Sequence, residues 1–111
     1  MIYFQTRFLE EANKFIAGLD AKVATKLLYT IDLAQQLNDP KLFKKMTDEI
    51  WEFRLRYANT HIRLLAFWDK SDTANVLVFA THGFVKKTDK VPHKEIDRAK
   101  TIRKKYFDSK K

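Results

Sequence analysis

Apolar and polar side chains alternate from Trp51 to Tyr57. Trp51, Phe53, Leu55 and Tyr57 therefore share one face of a predicted strand spanning 50–57, and Glu52, Arg54 and Arg56 share the other. The turn Ala58-Asn59-Thr60 leads into a second strand over 61–68, and the polar stretch 69–75 leads into a third over 76–84. Both connections are short enough for antiparallel hairpins. Upstream the period changes. Phe8, Ala12, Phe15, Ile16 and Leu19 make one helical stripe, and Val23, Leu27, Ile31, Ala34 and Leu37 make another, with Asp20 as its N-cap. Asn38-Asp39-Pro40 ends the second helix, because proline disfavours helical geometry in the residue before it. These two helices read as an antiparallel hairpin, followed by a loop carrying Lys41, Lys44 and Lys45. Residues 2–5 predict a short first strand. Pro92 suits the first turn of a last helix, whose buried stripe is Ile96, Ala99, Ile102 and Tyr106. The expected order is β-α-α-β-β-β-α, an α+β domain with helices packed on a small antiparallel sheet.

A chain of 111 residues reads as one domain over 1–111, able to bury about two-thirds of its unfolded surface. Nine Phe, four Tyr and two Trp supply the core, and two Gly and two Pro leave no flexible linker. The absence of cysteine removes disulfides, thiolate nucleophiles and zinc knuckles, and suits a reducing cytoplasm. No apolar run approaches the ~18 residues of a membrane span. Residues 1–7 lack the layout of a signal peptide, so a cytoplasmic protein without membrane association is expected. The net charge of +8 is unevenly placed: residues 1–82 carry eleven Lys/Arg against ten Asp/Glu, and residues 83–111 carry eleven against four. Such an oriented field fits polyanion binding or an acidic partner covering a site, although a solvated basic tail would leave the same trace.

Arg54 and Arg56 on one strand face, with Arg63 on the next strand, suit phosphate oxygens. Alternation alone does not place Arg63 with the other two, since a one-residue slip reverses its face. A lone strand arginine most often makes a cross-strand ion pair, here with Glu52; three on one hairpin favour anion binding. His82 closes the third strand before Gly83, which permits a bulge or a close approach, and Lys86 and Lys87 follow. His82 suits proton transfer, although a strand-end histidine is more often bonded to backbone. Phe84 is a candidate to stack on a base, but fits a core position more readily. His61, His82 and His93 lack metal-ligand spacing, and no nucleophile turn or glycine-rich phosphate loop occurs, so neither a metal nor a cofactor is expected. What remains is chemistry needing only cations and a proton carrier, for which RNA supplies its own 2′-OH nucleophile.

Trp51-Glu52-Phe53-Arg54-Leu55-Arg56-Tyr57, Ile62-Arg63-Leu64-Leu65, and His82-Gly83-Phe84-Val85-Lys86-Lys87-Thr88 followed by Pro92-His93-Lys94-Glu95-Ile96 resemble the phage-derived HigB-like branch of the RelE/ParE toxin superfamily. The resemblance covers about residues 20–107 and implies a RelE-like domain. It implies the toxin of a type II toxin–antitoxin pair, a metal-independent, ribosome-dependent endoribonuclease cutting mRNA, with a helix-turn-helix antitoxin as partner. By position it gives catalytic roles to Arg63, His82, Lys86 and Lys87. RNA backbone contacts fall to Arg54 and Arg56, with Lys44, Lys45 and Phe84 as further candidates. The RelE pattern has a proton-transferring tyrosine in its final segment. Tyr106 lies too far along the last helix to match it, so the general base falls first to His82, with a lysine of lowered pKa as the alternative. The same fold also serves as a DNA gyrase inhibitor in the ParE branch, and a non-catalytic nucleic-acid-binding relative is the third alternative. On this reading Arg63→Ala abolishes cleavage and leaves thermal stability nearly unchanged.

Overall fold

The computed structural model describes residues 2–72, 74, 76–87 and 91–110. Its elements are β1 (Gln5–Phe8), α1 (Glu10–Ala17), α2 (Ala21–Gln36), β2 (Phe43–Lys45), β3 (Trp51–Tyr57), β4 (Thr60–Asp69), β5 (Leu77–Lys86) and α3 (His93–Ser109). The α+β class and the order of the expected elements agree with the sequence reading. Five strands form one sheet in the order β1-β5-β4-β3-β2. It is mixed rather than antiparallel, because β1 runs parallel to β5 while the other pairings are antiparallel. β1 begins at Gln5, not Ile2, and takes in Phe8, which the periodicity had placed in the first helix. The lysine-rich loop contains the edge strand β2, three residues too short to show alternation. Its Phe43 stacks on Phe53 at 4.3 Å, and its lysines guard the open edge. Thr73, Asn75 and Thr88, which belonged to the expected turn and motif, lie outside the described residues.

Three layers result. Phe53, Leu55, Ile62, Leu64, Ala66, Val78 and Ala80 point from the sheet into one core with Ala12, Leu27, Ile31 and Ala34 of α1 and α2. α1 lies over β5 and α2 over β3, so each helix packs on the sheet more than on its neighbour. Asp20 caps α2 as expected, whereas Leu37 falls past the helix end and is exposed. Leu65 and Phe67 point the other way, into a second core with Ile50, Ala99, Ile96, Tyr106 and Phe107. Pro92 stands one position earlier than expected, at the N-cap of α3.

A bulge sets the faces of β5. Leu65 pairs with His82, but Ala66 pairs with Ala80, leaving Thr81 as the extra residue. The alternation of β5 reverses there. Gly83 consequently faces α1, where a Cβ would come within 2.2 Å of the Phe15 ring. His82, Phe84 and Lys86 face the α3 side, paired with Leu65, Arg63 and His61.

Polar contacts fasten α3. At its C-terminal end the Tyr106 hydroxyl and the Lys110 ammonium donate to Asp69 Oδ2 at 2.6 and 2.7 Å, and the Ser71 hydroxyl donates to Oδ1. Burial pulls the Asp69 carboxyl upward, but these donors outweigh it and hold the group well below the usual carboxylate range. Arg98 to Glu11 at 2.6 Å and Arg103 to Glu49 at 2.7 Å complete the attachment. α3 thereby covers one end of this sheet face.

Gly83→Ala is expected to destabilise the fold by about 1–3 kcal/mol, as overpacking does; a double-mutant cycle with Phe15→Leu in thermal melts should recover much of the loss. Asp69 has a folded pKa depressed below its ordinary 3.8, so its stabilisation is complete above about pH 4 and lost as pH falls further. Asp69→Asn should therefore lower Tm at pH 7 and flatten the fall in Tm between about pH 4 and 2.

Candidate functional site

Beyond the reach of α3, no element among the described residues covers the same sheet face. Arg54 on β3 is directly opposite Arg63 on β4, so the register places Arg63 with the other arginines. Arg56 is opposite His61, which in turn pairs with Lys86 of β5. These side chains surround two adjoining concavities. One, of about 630 Å³, is lined by Arg54, Asn59, Thr60, His61, Arg63, Val85, Lys86 and Lys87. The other, of about 410 Å³, is lined by Lys41, Arg54, Leu55, Arg56, His61 and Arg63. Among the described residues, no lining side chain of either is acidic. The two-residue hairpin that closes this end requires Ala58 at φ 55°, a left-handed conformation that costs about 1 kcal/mol outside glycine.

A carboxylate sits beneath these cations. Glu52 is 3 % exposed, with Oε1 3.4 Å from Nε of Arg63 and Oε2 3.4 Å from Nε of Arg54. Neither approach has hydrogen-bond alignment, and Arg63 spends one N–H on the Ile62 carbonyl at 3.1 Å. Burial raises the Glu52 carboxyl above its ordinary pKa, while Arg63 and Arg54 hold it down in part. Burial likewise lowers the Arg63 guanidinium, and Glu52 opposes that shift. Desolvation thus outweighs the attraction within the pair, as is common for buried ions. One carboxylate balances only one of two guanidinium charges. The face keeps a net positive charge at Arg54 and Arg63, with Arg56, Lys86 and Lys87 added around the rim.

Other predicted residues lie elsewhere. His82 is buried under α3, with Nδ1 3.1 Å from the Thr81 hydroxyl and Nε2 3.2 Å from Glu95 Oε1. Burial lowers its pKa, Arg98 adds to the effect and Glu95 opposes it. Both ring nitrogens are occupied, so His82 ties β5 to α3 instead of lining the groove. Lys44 pairs with Glu52 and shares the cationic face, whereas Lys45 pairs with Trp51 and lines a separate hollow with Trp68 and Arg103. Phe84 packs against the second core. Tyr106 is bonded to Asp69, and Asp69 is eight residues along β4 from His61, roughly 25 Å for an extended strand. Among the described residues no three His, Asp or Glu side chains form a group able to hold a metal ion.

The residue that sequence reasoning passed over is His61. Its signal was present, since it precedes Arg63 by two positions and a strand places such residues on one face.

A family model described as "Phage derived protein Gp49-like (DUF891)" matches residues 14–104, a span that contains every residue of both concavities. The chain belongs to the Gp49-like phage-derived family. That family falls in the RelE/ParE-like toxin superfamily, and membership is consistent with the toxin of a toxin–antitoxin system, which suggests an antitoxin partner. No curated protein matches the Gp49-like chain. No helix among its described residues is long and apolar enough to cross a membrane.

The position of Arg63 overturns the expectation that its removal leaves stability unchanged. Arg63→Ala strips a 3 %-exposed carboxylate of its more deeply buried partner, and is expected to cost about 3 kcal/mol in chemical denaturation. Adding Glu52→Gln should restore part of that loss, while Arg56→Ala on the exposed rim should stay within about 0.5 kcal/mol of wild type.

Proposed function

We propose that this Gp49-like protein is the toxin of a type II toxin–antitoxin pair and acts as a metal-independent, ribosome-dependent endoribonuclease on mRNA. One observation carries this reading: Arg54, Arg56, Arg63 and Lys86 converge from three adjacent strands on one face, and no acid lines that face among the described residues. A phosphodiester beside a 2′-OH needs little more. The 2′-oxygen attacks phosphorus in line, the bond to the 5′-oxygen breaks, and negative charge gathers on the non-bridging oxygens. Arg63 is held rigidly by burial and suits those oxygens, with Arg54 and Lys86 on either side. Arg56, Lys41 and Lys44 extend the cationic track to neighbouring phosphates, and Lys87 adds charge at the mouth. His82 supports this arrangement indirectly, by holding α3 where it leaves the groove open.

The partner in this reading is a helix-turn-helix antitoxin that presents acidic side chains to the groove or to the basic outer face of α3. Burial of the groove cations under such a segment explains why the excess charge is unmatched within the chain.

Induction in a bacterial culture should arrest growth, and 5′-end mapping should locate new cuts within translated mRNA. Cleavage by purified protein on programmed ribosomes should be insensitive to chelation of divalent ions at concentrations that leave ribosomes intact. Lys86→Ala should lower the rate by about 10²–10³ with Tm nearly unchanged. Intact mRNA together with inhibited DNA supercoiling would replace this reading with the gyrase-directed alternative. Salt-sensitive RNA binding without cleavage or toxicity would leave a non-catalytic binding module.

A further inference from the structure

We infer that His61 is the general base of the groove, the group that takes the proton from the attacking 2′-hydroxyl. The inference rests on the endoribonuclease reading and deepens it. Guanidinium and ammonium groups donate hydrogen bonds and accept none. A groove walled by Arg54, Arg56, Arg63, Lys86 and Lys87 therefore has many donors for a phosphate and a leaving oxygen, but a base must accept. Among the described lining side chains His61 supplies the one basic acceptor, since Asn59 and Thr60 offer only weakly basic neutral oxygens. It lines both concavities, between its register partners Arg56 and Lys86, and lies two residues from Arg63 on the same face.

The alternatives are placed elsewhere. His82 has both nitrogens bonded beneath α3, His93 is exposed at the start of α3 outside the lining, and Tyr106 donates to Asp69 at the far end of β4. Glu52 is buried behind Arg54 and Arg63 and is absent from the lining. The His61 ring makes no hydrogen bond or ion pair among the described residues, so a nitrogen is open to substrate.

The step balances without a further reagent. The 2′-hydroxyl proton passes to the imidazole, and the 2′-oxygen lone pair forms the new bond to phosphorus. The bond from phosphorus to the 5′-oxygen breaks with its electron pair on oxygen, and that oxygen takes a proton from water. The products are a 2′,3′-cyclic phosphate and a 5′-hydroxyl, after which the imidazolium returns its proton to solvent.

The test is single-turnover cleavage of mRNA on programmed ribosomes, followed from pH 5 to 9 for wild type, His61→Gln and His61→Ala, with melting curves for each. Wild type should show a limb on which the rate rises with pH, as a base that must first lose its own proton requires. His61→Gln should be slower by about 10²–10⁴, without that limb and with an intact fold, and added imidazole should restore part of the His61→Ala rate. Cleavage by His61→Gln within threefold of wild type would overturn the assignment. So would a slow variant that keeps the limb and gains nothing from imidazole, which would make His61 a binding or packing residue. A wild-type protein inert under every condition would remove the nuclease reading itself, a result distinct from either of these.

Discussion

Thr81 has no residue opposite it across the sheet, and that single insertion in β5 governs what the protein can present to a ligand. Without it, strict alternation would continue from Phe79 and Ala80 and turn His82, Phe84 and Lys86 toward the core of α1 and α2, where burying an unpaired ammonium is costly. With it, Gly83 faces the Phe15 ring, which has room for nothing larger than hydrogen there, and Lys86 joins His61 on the open face. The Thr81 hydroxyl donates to the Leu65 carbonyl at 3.2 Å, so the bulge supplies part of its own hydrogen bonding. The packing of one helix and the composition of the groove are thus settled by the same local irregularity.

The cationic face carries an internal cost. Gathering arginines on neighbouring strands brings like charges together, and Glu52 answers that repulsion from below at 3.4 Å to each of two guanidinium groups. The answer is incomplete, since burial disfavours the charged form of Glu52 and of Arg63 more than their mutual attraction favours it. An incoming phosphate would find guanidinium groups that are positioned but not neutralised. This is the physical sense in which such a face trades stability for charge held unneutralised at its surface.

α3 limits that site to one end of the sheet. Its apolar side covers Leu65 and Phe67, while its fastening depends on polar contacts: Asp69 with Tyr106 and Lys110, Glu95 with His82, Glu11 with Arg98 and Glu49 with Arg103. His82 and Tyr106, both natural candidates for proton chemistry from residue type alone, belong to this fastening. Residue type says which reactions a side chain can join, and burial says whether it can meet a substrate.

Much was legible in the chain itself. Period-two alternation over Trp51–Tyr57 assigned both faces of β3, the stripe Val23-Leu27-Ile31-Ala34 assigned the buried side of α2, and the motifs around Arg54, Arg63 and His82 indicated a RelE/ParE-like kinship that the family match supports. Those features are local: strand and helix periods are properties of consecutive residues. What the linear pattern left open depended on register and on packing over distance. The parallel pairing of β1, the three-residue β2, the union of Arg63 with Arg54, the burial of His82 and the placement of His61 in the groove each require knowing which residue lies opposite which. A one-residue shift exchanges the two faces of a strand at little change in local preference. Only the competition between cores on opposite sides of the sheet could decide it.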